Sequence, residues 1–166
     1  MNAAAARRRS DTALDDTGLS HLVGYAASRA AIELRKVFLA NMEPLGIRIA
    51  EYSILMLVAH NAEINQKRLG QALDIAPPNL AVTLDRMAER GWIERVRGTR
   101  DRRAQHIHLT GDGRALAASA RKISQAMEEP LLSVLSPGER ALLIELLRKL
   151  FGAGAETASE RHLRRA

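Results

Sequence analysis

Residues 75–110 read IAPPNLAVTLDRMAERGWIERVRGTRDRRAQHIHLT, and this stretch decides the fold of the 166-residue chain. Two prolines open a helical pattern that ends at Gly91, because proline fits a first helical turn and glycine stops a helix. An alternating strand pattern, an arginine-rich turn and a second strand follow, and they end before Thr110. A helix matches the major groove of double-stranded DNA, and a basic hairpin beside it can reach the neighbouring minor groove. The stretch therefore predicts a DNA-binding element.

Three helices are predicted before this element. Apolar residues at spacings of three and four predict them over 19–40, 49–60 and about 66–73. Asn65 is the expected N-cap of the third helix, and Asp74 lies in the tight turn after it, where the backbone is often left-handed. The third and fourth helices together predict a helix-turn-helix, and the hairpin is its wing.

Two further helices are predicted after the hairpin. Thr110 can cap the first, which starts near residue 112, and Pro130 kinks or ends it. The motif Ser136-Pro137-Gly138-Glu139 is a capping box that starts the last helix. Both ends of the chain carry more leucine than a small winged lobe can cover. This surplus predicts a homodimer joined through the terminal helices, and the alternative is a monomer whose terminal helices fold back on the lobe.

The predicted fold class is mainly α with a small β-wing, comprising a winged helix-turn-helix lobe and a helical dimerisation region. Residues 1–17 show no apolar period and are expected to form a disordered N-terminal tail, and residues 153–166 a frayed C-terminal one. The single domain between them, 18–152, divides into a DNA-binding lobe over 48–110 and dimerisation helices over 18–42 and 111–152.

The composition agrees with a small helical DNA-binding protein. Apolar residues make up 46% of the chain and aromatic residues only 3%, which favours helices over a β-sandwich. The formal net charge is +6, and 21 of the 25 basic residues are arginine, which suits DNA but is equally the mark of a GC-rich genome. Cysteine is absent, which excludes disulfides and thiol chemistry. No apolar run approaches the roughly 18 residues of a membrane span, so a cytoplasmic protein is expected.

Seven arginines fall between residues 86 and 103, opposed by four acidic residues between 85 and 101, and such a cluster can neutralise DNA phosphates. The alternative for any single arginine is a solvated surface charge. The predicted DNA contacts are Asn65, Gln66, Pro78, Asn79, Ala81, Val82, Arg86, Arg90, Arg100, Asp101, Arg102 and Arg103.

The predicted contacts differ in their roles. Asn79 can pair with an adenine edge, and Val82 can touch a thymine methyl group. Arg86 and Arg90 lie one helical turn apart, near phosphates if the start of the helix enters the groove. Arg102 lies at the hairpin tip and suits a narrow minor groove.

Three stretches are similar to the MarR family of bacterial transcription regulators: residues 64–75, the run LDRMAERGWIER over 84–95, and the wing pattern from Asp101 through Leu109-Thr110 to Gly113. The resemblance covers about residues 20–150. It implies a homodimeric winged helix-turn-helix protein that binds a pseudo-palindromic DNA operator, usually as a repressor.

The chain departs from the family's pattern at its turns. Gly70 stands where the family usually has alanine, Asp74 where it usually has glycine, and Gly98-Thr99 where an Asp-Pro pair is common. These departures bear on the geometry of the helix-turn-helix and of the wing tip.

The resemblance also implies an effector, a small aromatic or phenolic acid that releases DNA from a site at the junction of the dimerisation and DNA-binding regions. The polar candidates for this site are His21, Tyr25, Arg29, Tyr52 and His60, and the alternative for each is packing or hydrogen bonding between helices. No cofactor is predicted beyond this effector.

The sequence predicts no enzyme. It contains neither a glycine-rich phosphate loop nor a nucleophile motif. His106 and His108 share a strand face, but no cysteine or nearby acidic residue completes a metal site, so structural or surface roles are expected. The predicted function is a ligand-responsive, sequence-specific DNA-binding regulator, and the alternative is a ligand-independent regulator or an architectural DNA-binding protein.

Overall fold

The computed structural model describes residues 14–97 and 105–163, with side chains up to residue 152, and it is mostly helical. Helices α1 (Val23–Met42), α2 (Ile49–His60), α3 (Gln66–Leu73) and α4 (Pro77–Glu89) precede strands β1 (Ile93–Arg97) and β2 (Gln105–Leu109), and helices α5 (Gly111–Ser124), α6 (Glu129–Leu132) and α7 (Pro137–Leu163) follow. This order confirms the predicted fold class, mainly α with a small β-wing. Residues 1–13 of the predicted tail and residues 98–104 of the hairpin tip lie outside the described residues.

The first helix is shifted from its predicted position. It begins at Val23 rather than at residue 19, because residues 17–20 form a turn of their own. It ends in a 3-10 turn at Glu43–Leu45, and Gly46 closes that turn with a φ of +59°, a conformation that glycine adopts without steric cost.

The last helix begins with the predicted capping box. The Ser136 backbone N–H donates to the Glu139 carboxylate at 2.8 Å, and the Glu139 N–H donates to the Ser136 hydroxyl oxygen at 3.3 Å. Hydrogen bonds from the side chain and backbone of Ser136 lower the pKa of Glu139 from its ordinary value of 4.5. The helix then continues to Leu163 and so passes residue 153, where the frayed tail was expected to begin. Alanine and glutamate, both good helix formers, are frequent in this stretch.

The turn between α3 and α4 has the predicted geometry. The Asn65 side chain accepts the Arg68 backbone N–H at 2.9 Å and caps α3. Asp74 ends α3 in the left-handed region, with a φ of +49°. A Cβ atom on Gly70 would lie 3.2 Å from the Ile75 carbonyl oxygen, so the small residue lets the turn close tightly. The departures from the family's pattern at residues 70 and 74 are therefore accommodated in the described structure.

The core lies beneath α4 and fixes its orientation. The predicted inward stripe of Leu80, Leu84 and Met87 is fully buried. The other fully buried apolar side chains among the described residues are Met42, Ile54, Leu55, Leu69 and Ala120, with Ile107 of the sheet nearly so. Because α4 packs on residues from α2, α3 and the sheet, its outer face is held at a defined angle to the rest of the lobe.

The two strands form an antiparallel sheet, with Ile93 opposite Leu109 at its base. The Ile107 N–H also donates to the Ile64 carbonyl at 2.9 Å, which ties the sheet to the residues before α3. The inner face of the sheet is buried in the core, and the outer face carries the cross-strand pair Glu94 and His108.

The junction between the sheet and α5 is unusually close. The Thr110 hydroxyl donates to the Gly91 carbonyl at 2.6 Å and accepts the Gly113 N–H at 3.0 Å, and so caps α5. A Cβ atom on Gly113 would lie 1.8 Å from the Trp92 carbonyl oxygen, which leaves no room for any side chain. Glycine at this position therefore sets the angle between the wing and α5.

An apolar surface remains uncovered at the two ends of the described chain. On α7 it comprises Leu142, Leu143, Ile144, Leu146, Leu147, Leu150 and Phe151, and on α1 and the residues before it Leu19, Leu22, Val23, Ile32 and Leu39. The exposed fractions on α7 run from 39% to 70%. Contiguous apolar surface of this kind marks an interaction face rather than a solvated one.

Candidate nucleic-acid interface

The outer face of α4 is formed by the residues that its buried stripe leaves free. Pro78, Asn79 and Val82 are exposed, Val82 by 64% of its surface, and Ala81 is half-buried. These residues lie in the first two turns of the helix, the part that reaches base edges when a recognition helix enters the major groove. The structure thus brings four of the predicted DNA contacts together on one surface of the helix.

Arg86 points back toward the lobe rather than outward. Its Nε donates to Oε1 of Glu51 at 2.8 Å, and Glu51 has no exposed surface. The other carboxylate oxygen of Glu51 accepts the Arg48 backbone N–H at 2.7 Å. A buried carboxylate is tolerated only when it is paired and hydrogen-bonded, so this arginine is engaged in holding α4 against α2. The expected phosphate contact of Arg86 stays a prediction, and its Nε is already bonded within the lobe.

Arg90 is also engaged within the lobe. One guanidinium nitrogen donates to the Gly46 carbonyl at 3.0 Å, and the guanidinium carbon lies 3.9 Å from the centre of the Trp92 ring. The hydrogen bond joins the end of α4 to the turn after α1, and the ring contact is a cation–π interaction. The sequence could not reveal either contact, because periodicity places Arg90 on a helix but does not name its partners.

The start of α3 adds basic residues beside this surface. Asn65 is used as the helix cap, and the Gln66 amide reaches the Pro77 carbonyl at 3.5 Å, so both predicted contacts are at least partly engaged in the turn. Lys67 and Arg68 are exposed next to them, and neither was among the DNA contacts predicted from the sequence. The strongly amphipathic pattern of α3 could have indicated them, because a helix that buries its apolar face leaves its basic residues exposed.

The base of the wing carries two arginines with different environments. Arg95 donates to the Asp85 carboxylate of α4 at 2.6 Å, which links the sheet to the recognition helix, whereas Arg97 is exposed. The predicted tip residues Arg100, Asp101, Arg102 and Arg103 lie outside the described residues. The strands that lead to them project from the same lobe as α4.

The predicted effector residues have different environments in the described chain. The Tyr52 hydroxyl donates to the Ser124 hydroxyl oxygen at 2.7 Å, and its ring meets Phe38 edge-on at 5.5 Å, so it joins α1, α2 and α5. The Tyr25 hydroxyl donates to the Asp16 carboxylate at 3.2 Å. His21 and Arg29 are exposed.

His60 lines a cavity of about 650 Å³ that none of the other four candidates lines. Its walls come from the end of α2, the outer face of the sheet and one side of α5. Nδ1 of His60 lies 2.8 Å from the Met56 carbonyl oxygen, so the ring is held at the cavity wall.

Two further observations bear on the class of protein. Among residues 14–97 and 105–163, no group of three histidine or acidic side chains is placed to hold a metal ion. Within the same ranges, no helix combines the length and the apolar character that crossing a bilayer requires.

Comparison with known proteins places these features in a family. The MarR family model matches residues 47–104, which include α2, the helix-turn-helix and the start of the wing. The transcriptional regulator HosA of Escherichia coli O157:H7 is 31% identical over 100 residues, which are 60% of this chain and 74% of that protein.

Solved structures give the same result over more of the chain. The transcriptional repressor CouR bound to a 23-mer DNA duplex is 33% identical, with a TM-score of 0.78, and the match covers 84% of this chain and 99% of CouR. A CouR structure bound to p-coumaroyl-CoA is 31% identical, with a TM-score of 0.74, over 83% of this chain and 97% of that one.

Proposed function

The chain belongs to the MarR family of transcriptional regulators, and from this premise we propose that it is a homodimeric repressor that binds a pseudo-palindromic operator and releases it when a small aromatic acid binds. The observation that carries the DNA-binding part is the exposed first half of α4, which rests on a fully buried stripe. A repressor about a third identical to the chain is bound to duplex DNA in its solved structure, which supports the same use here.

In this proposal the base contacts come from the outer face of α4. The Asn79 amide pairs with an adenine edge, and Val82 with Ala81 beside it contacts thymine methyl groups. Pro78 and Gln66 lie at the rim of the same surface.

In this proposal the phosphate contacts come from basic side chains of α3 and of the wing. We assign this role to Lys67 and Arg68 on α3, Arg97 at the base of the wing, and Arg100, Arg102 and Arg103 of the wing tip. Arg86 and Arg90 are reassigned from phosphate contacts to positioning residues, because each is bonded within the lobe.

The proposed dimer explains the uncovered apolar surface on α1 and α7. Burial of such surface contributes about 25 cal/mol per Å², so leaving seven large side chains of one helix in water is costly. Joining two copies there places two recognition helices on one DNA duplex. Their half-sites lie one helical turn apart, roughly 34 Å.

The effector part of the proposal rests on differential binding. A ligand can release the operator only if it binds more tightly to the form of the dimer whose lobe spacing does not fit DNA than to the form whose spacing fits it. The CouR relative bound to p-coumaroyl-CoA supports an aromatic acid, or a derivative of one, as the class of ligand.

The test of the proposed function is a salt titration of binding to DNA from the chain's own promoter region. Specific binding is expected, with an affinity that falls steeply as salt rises, since phosphate contacts release counterions. Val82→Asp should abolish specific binding without lowering the urea midpoint, whereas Ala115→Asp on α5 should leave binding unchanged. Equal affinity for promoter and unrelated DNA at every salt concentration would refute a sequence-specific regulator.

A further inference from the structure

The Tyr52 side chain lies where α2 of the lobe meets α1 and α5, two helices that the proposed function assigns to the dimer. Its hydroxyl donates to the Ser124 hydroxyl oxygen at 2.7 Å, across 72 residues of sequence, and its ring meets Phe38 of α1 edge-on. Among the described side chains, no other hydrogen bond between two side chains joins the elements from α2 to β2 with α1 or with α5 to α7. This bond is therefore the directional side-chain link between the two regions in that part of the chain.

The Ser124 hydroxyl is held so that it accepts from Tyr52. Its own proton is donated to the Arg121 carbonyl, one turn earlier on α5, at 2.8 Å. A serine hydroxyl has a single proton, so the bond from Tyr52 has one direction. A hydrogen bond weakens steeply when its length or angle departs from the preferred values, whereas the apolar contact with Phe38 is not directional. The hydrogen bond is thus the part of this contact that is sensitive to the angle between the helices.

A second fixed point between the two regions lies at the other end of α5. The Thr110 hydroxyl caps this helix, and Gly113 is packed so closely on Trp92 that a Cβ atom would not fit. Gly113 and Ser124 are eleven residues apart on α5, which is about 16 Å along the helix axis. A contact at one end alone lets the lobe turn about that end, whereas contacts at both ends of the helix define the angle.

We infer that the Tyr52–Ser124 bond sets the angle between each DNA-binding lobe and the dimerisation helices, and so sets the half-site spacing that the dimer accepts. Tyr52 acts through α5 as a positioning residue and not as a DNA contact. The inference rests on the proposed function for the dimer and the operator, whereas the bond itself belongs to a single chain.

The size of the effect follows from the length of α5. About 1 Å of slack at Ser124 is a rotation of about 4° around a pivot that lies about 16 Å away. Parts of the lobe at a similar distance from the pivot then move by about 1 Å, so two lobes move by about 2 Å relative to each other, against a base-pair step of about 3.4 Å. Loss of the bond should therefore let the dimer accept half-sites that are one base pair closer together or farther apart.

The first measurement is the affinity of the full chain for duplexes that carry its operator with the half-sites moved by one base pair in either direction. Selection from a random DNA pool with the wild-type chain supplies the operator. Tyr52→Phe and Ser124→Ala should each lower the ratio of affinities between the selected and the shifted spacings by about threefold or more, because a lobe that turns no longer has to break the bond. Ser124→Thr keeps the hydroxyl and should retain the wild-type ratio.

Two control variants remove the same chemical groups elsewhere. Tyr25→Phe deletes the hydroxyl of the other tyrosine in the chain, which donates to Asp16. Ser119→Ala deletes a hydroxyl of α5 that donates to the Ala115 carbonyl of the same helix at 3.1 Å. Both controls should keep the wild-type ratio. A loss of stability alone lowers the affinity for every spacing by the same factor, so the ratio separates positioning from stability.

The second measurement needs no DNA. The chain has no cysteine, so Glu89→Cys, at the exposed end of α4, accepts one spin label per protomer. Pulsed electron–electron double resonance then gives the distribution of distances between the two α4 helices of the dimer. The distribution should be broader in Tyr52→Phe and Ser124→Ala than in the labelled wild-type chain or in the two controls. Circular dichroism checks folding, and if Tyr52→Phe is misfolded, Ser124→Ala decides alone.

The outcomes separate the two proposals. If the wild-type chain binds its operator and neither Tyr52→Phe nor Ser124→Ala lowers the spacing ratio, the inference is overturned and the proposed function stands. If the distance distribution broadens as expected but no operator is selected, the joint between lobe and α5 stands and the proposed function fails. A labelled chain that gives no distance between labels is not a dimer, and both proposals then fail.

Discussion

Replacing Arg86 by glutamine should destabilise the lobe without removing a phosphate contact. The guanidinium of Arg86 is bonded to Glu51, a carboxylate with no exposed surface, on a helix packed beneath α4. Glutamine is too short to reach the carboxylate and carries no charge. Arg86→Gln therefore leaves Glu51 as a buried anion with one remaining hydrogen bond, from the Arg48 N–H.

The size of the effect follows from the burial of the two partners. Removing one member of a fully buried ion pair typically costs about 3–5 kcal/mol. The Arg86 side chain is 32% exposed, so water can partly replace it, and the retained N–H bond also limits the loss. We expect about 2–3 kcal/mol in the free energy of unfolding. Since urea slopes are roughly 1–3 kcal/mol per molar, the midpoint should fall by about 1 M or more.

The assay combines urea unfolding with a salt titration of operator binding. Glu51→Gln alone and the double variant complete a thermodynamic cycle, and the coupling energy between the two residues should be about 1–3 kcal/mol. Arg86→Gln should bind DNA more weakly, because α4 is less firmly held, but with an unchanged slope of log affinity against log salt. Lys67→Gln is the control, because loss of a true phosphate contact from each protomer of the dimer lowers that slope by about 1.8 while stability is kept.

The opposite pattern would refute the reasoning. If Arg86→Gln keeps the wild-type urea midpoint and lowers the salt slope by about one contact per protomer, Arg86 binds phosphate and the ion pair with Glu51 is incidental.

Three further predictions follow from single positions. Gly113→Ala should lower the free energy of unfolding by about 3 kcal/mol or more, or prevent folding, because its Cβ would lie 1.8 Å from the Trp92 carbonyl oxygen. Gly138→Ala, with open space around it, should be neutral or stabilising. Similar urea midpoints for the two variants would contradict the close contact. Asp74→Gly should be neutral or stabilise the fold by up to about 1 kcal/mol, because residue 74 is in the left-handed region, and Asp74→Val should destabilise it. A valine variant that is more stable than the glycine variant in thermal unfolding would contradict the left-handed turn. Because hydrogen bonds lower the pKa of Glu139 in the folded protein, the carboxylate should stabilise the fold fully at pH values above its ordinary pKa of 4.5 and lose this effect as the pH falls through the lower folded pKa. The difference in stability between the wild-type chain and Glu139→Gln should therefore disappear on acidification. A difference that persists at about pH 2 would exclude the cap as its source.

Local signals in the sequence were sufficient for the elements of the lobe. The prolines of α4, the cap at Asn65, the left-handed turn at Asp74 and the stripe of Leu80, Leu84 and Met87 each act within a few residues, so pattern and position reveal them. The end of α7 was harder to predict from the sequence, because an alanine-rich composition is compatible with both a helix and a frayed tail.

Partners far apart in sequence explain what pattern reasoning missed at the site. Glu51 and Arg86 are 35 residues apart, and Arg90 and Gly46 are 44 apart, so no spacing rule connects them. A count of arginines treats every one as a potential phosphate contact. Among the described arginines of this cluster, the structure instead shows Arg86, Arg90 and Arg95 bonded within the lobe and Arg97 exposed.

This division has a functional consequence. A recognition helix can transmit a change in lobe angle to DNA only if it moves with the lobe as one body. The ties from Arg86 to α2, from Arg90 to the turn after α1 and from Arg95 to Asp85 join α4 to three different parts of the lobe. A shift of the wing base caused by the effector of the proposed function would therefore move the reading surface as a unit. Loosening any one tie should weaken the effect of the ligand on operator affinity more than it weakens binding of the ligand itself.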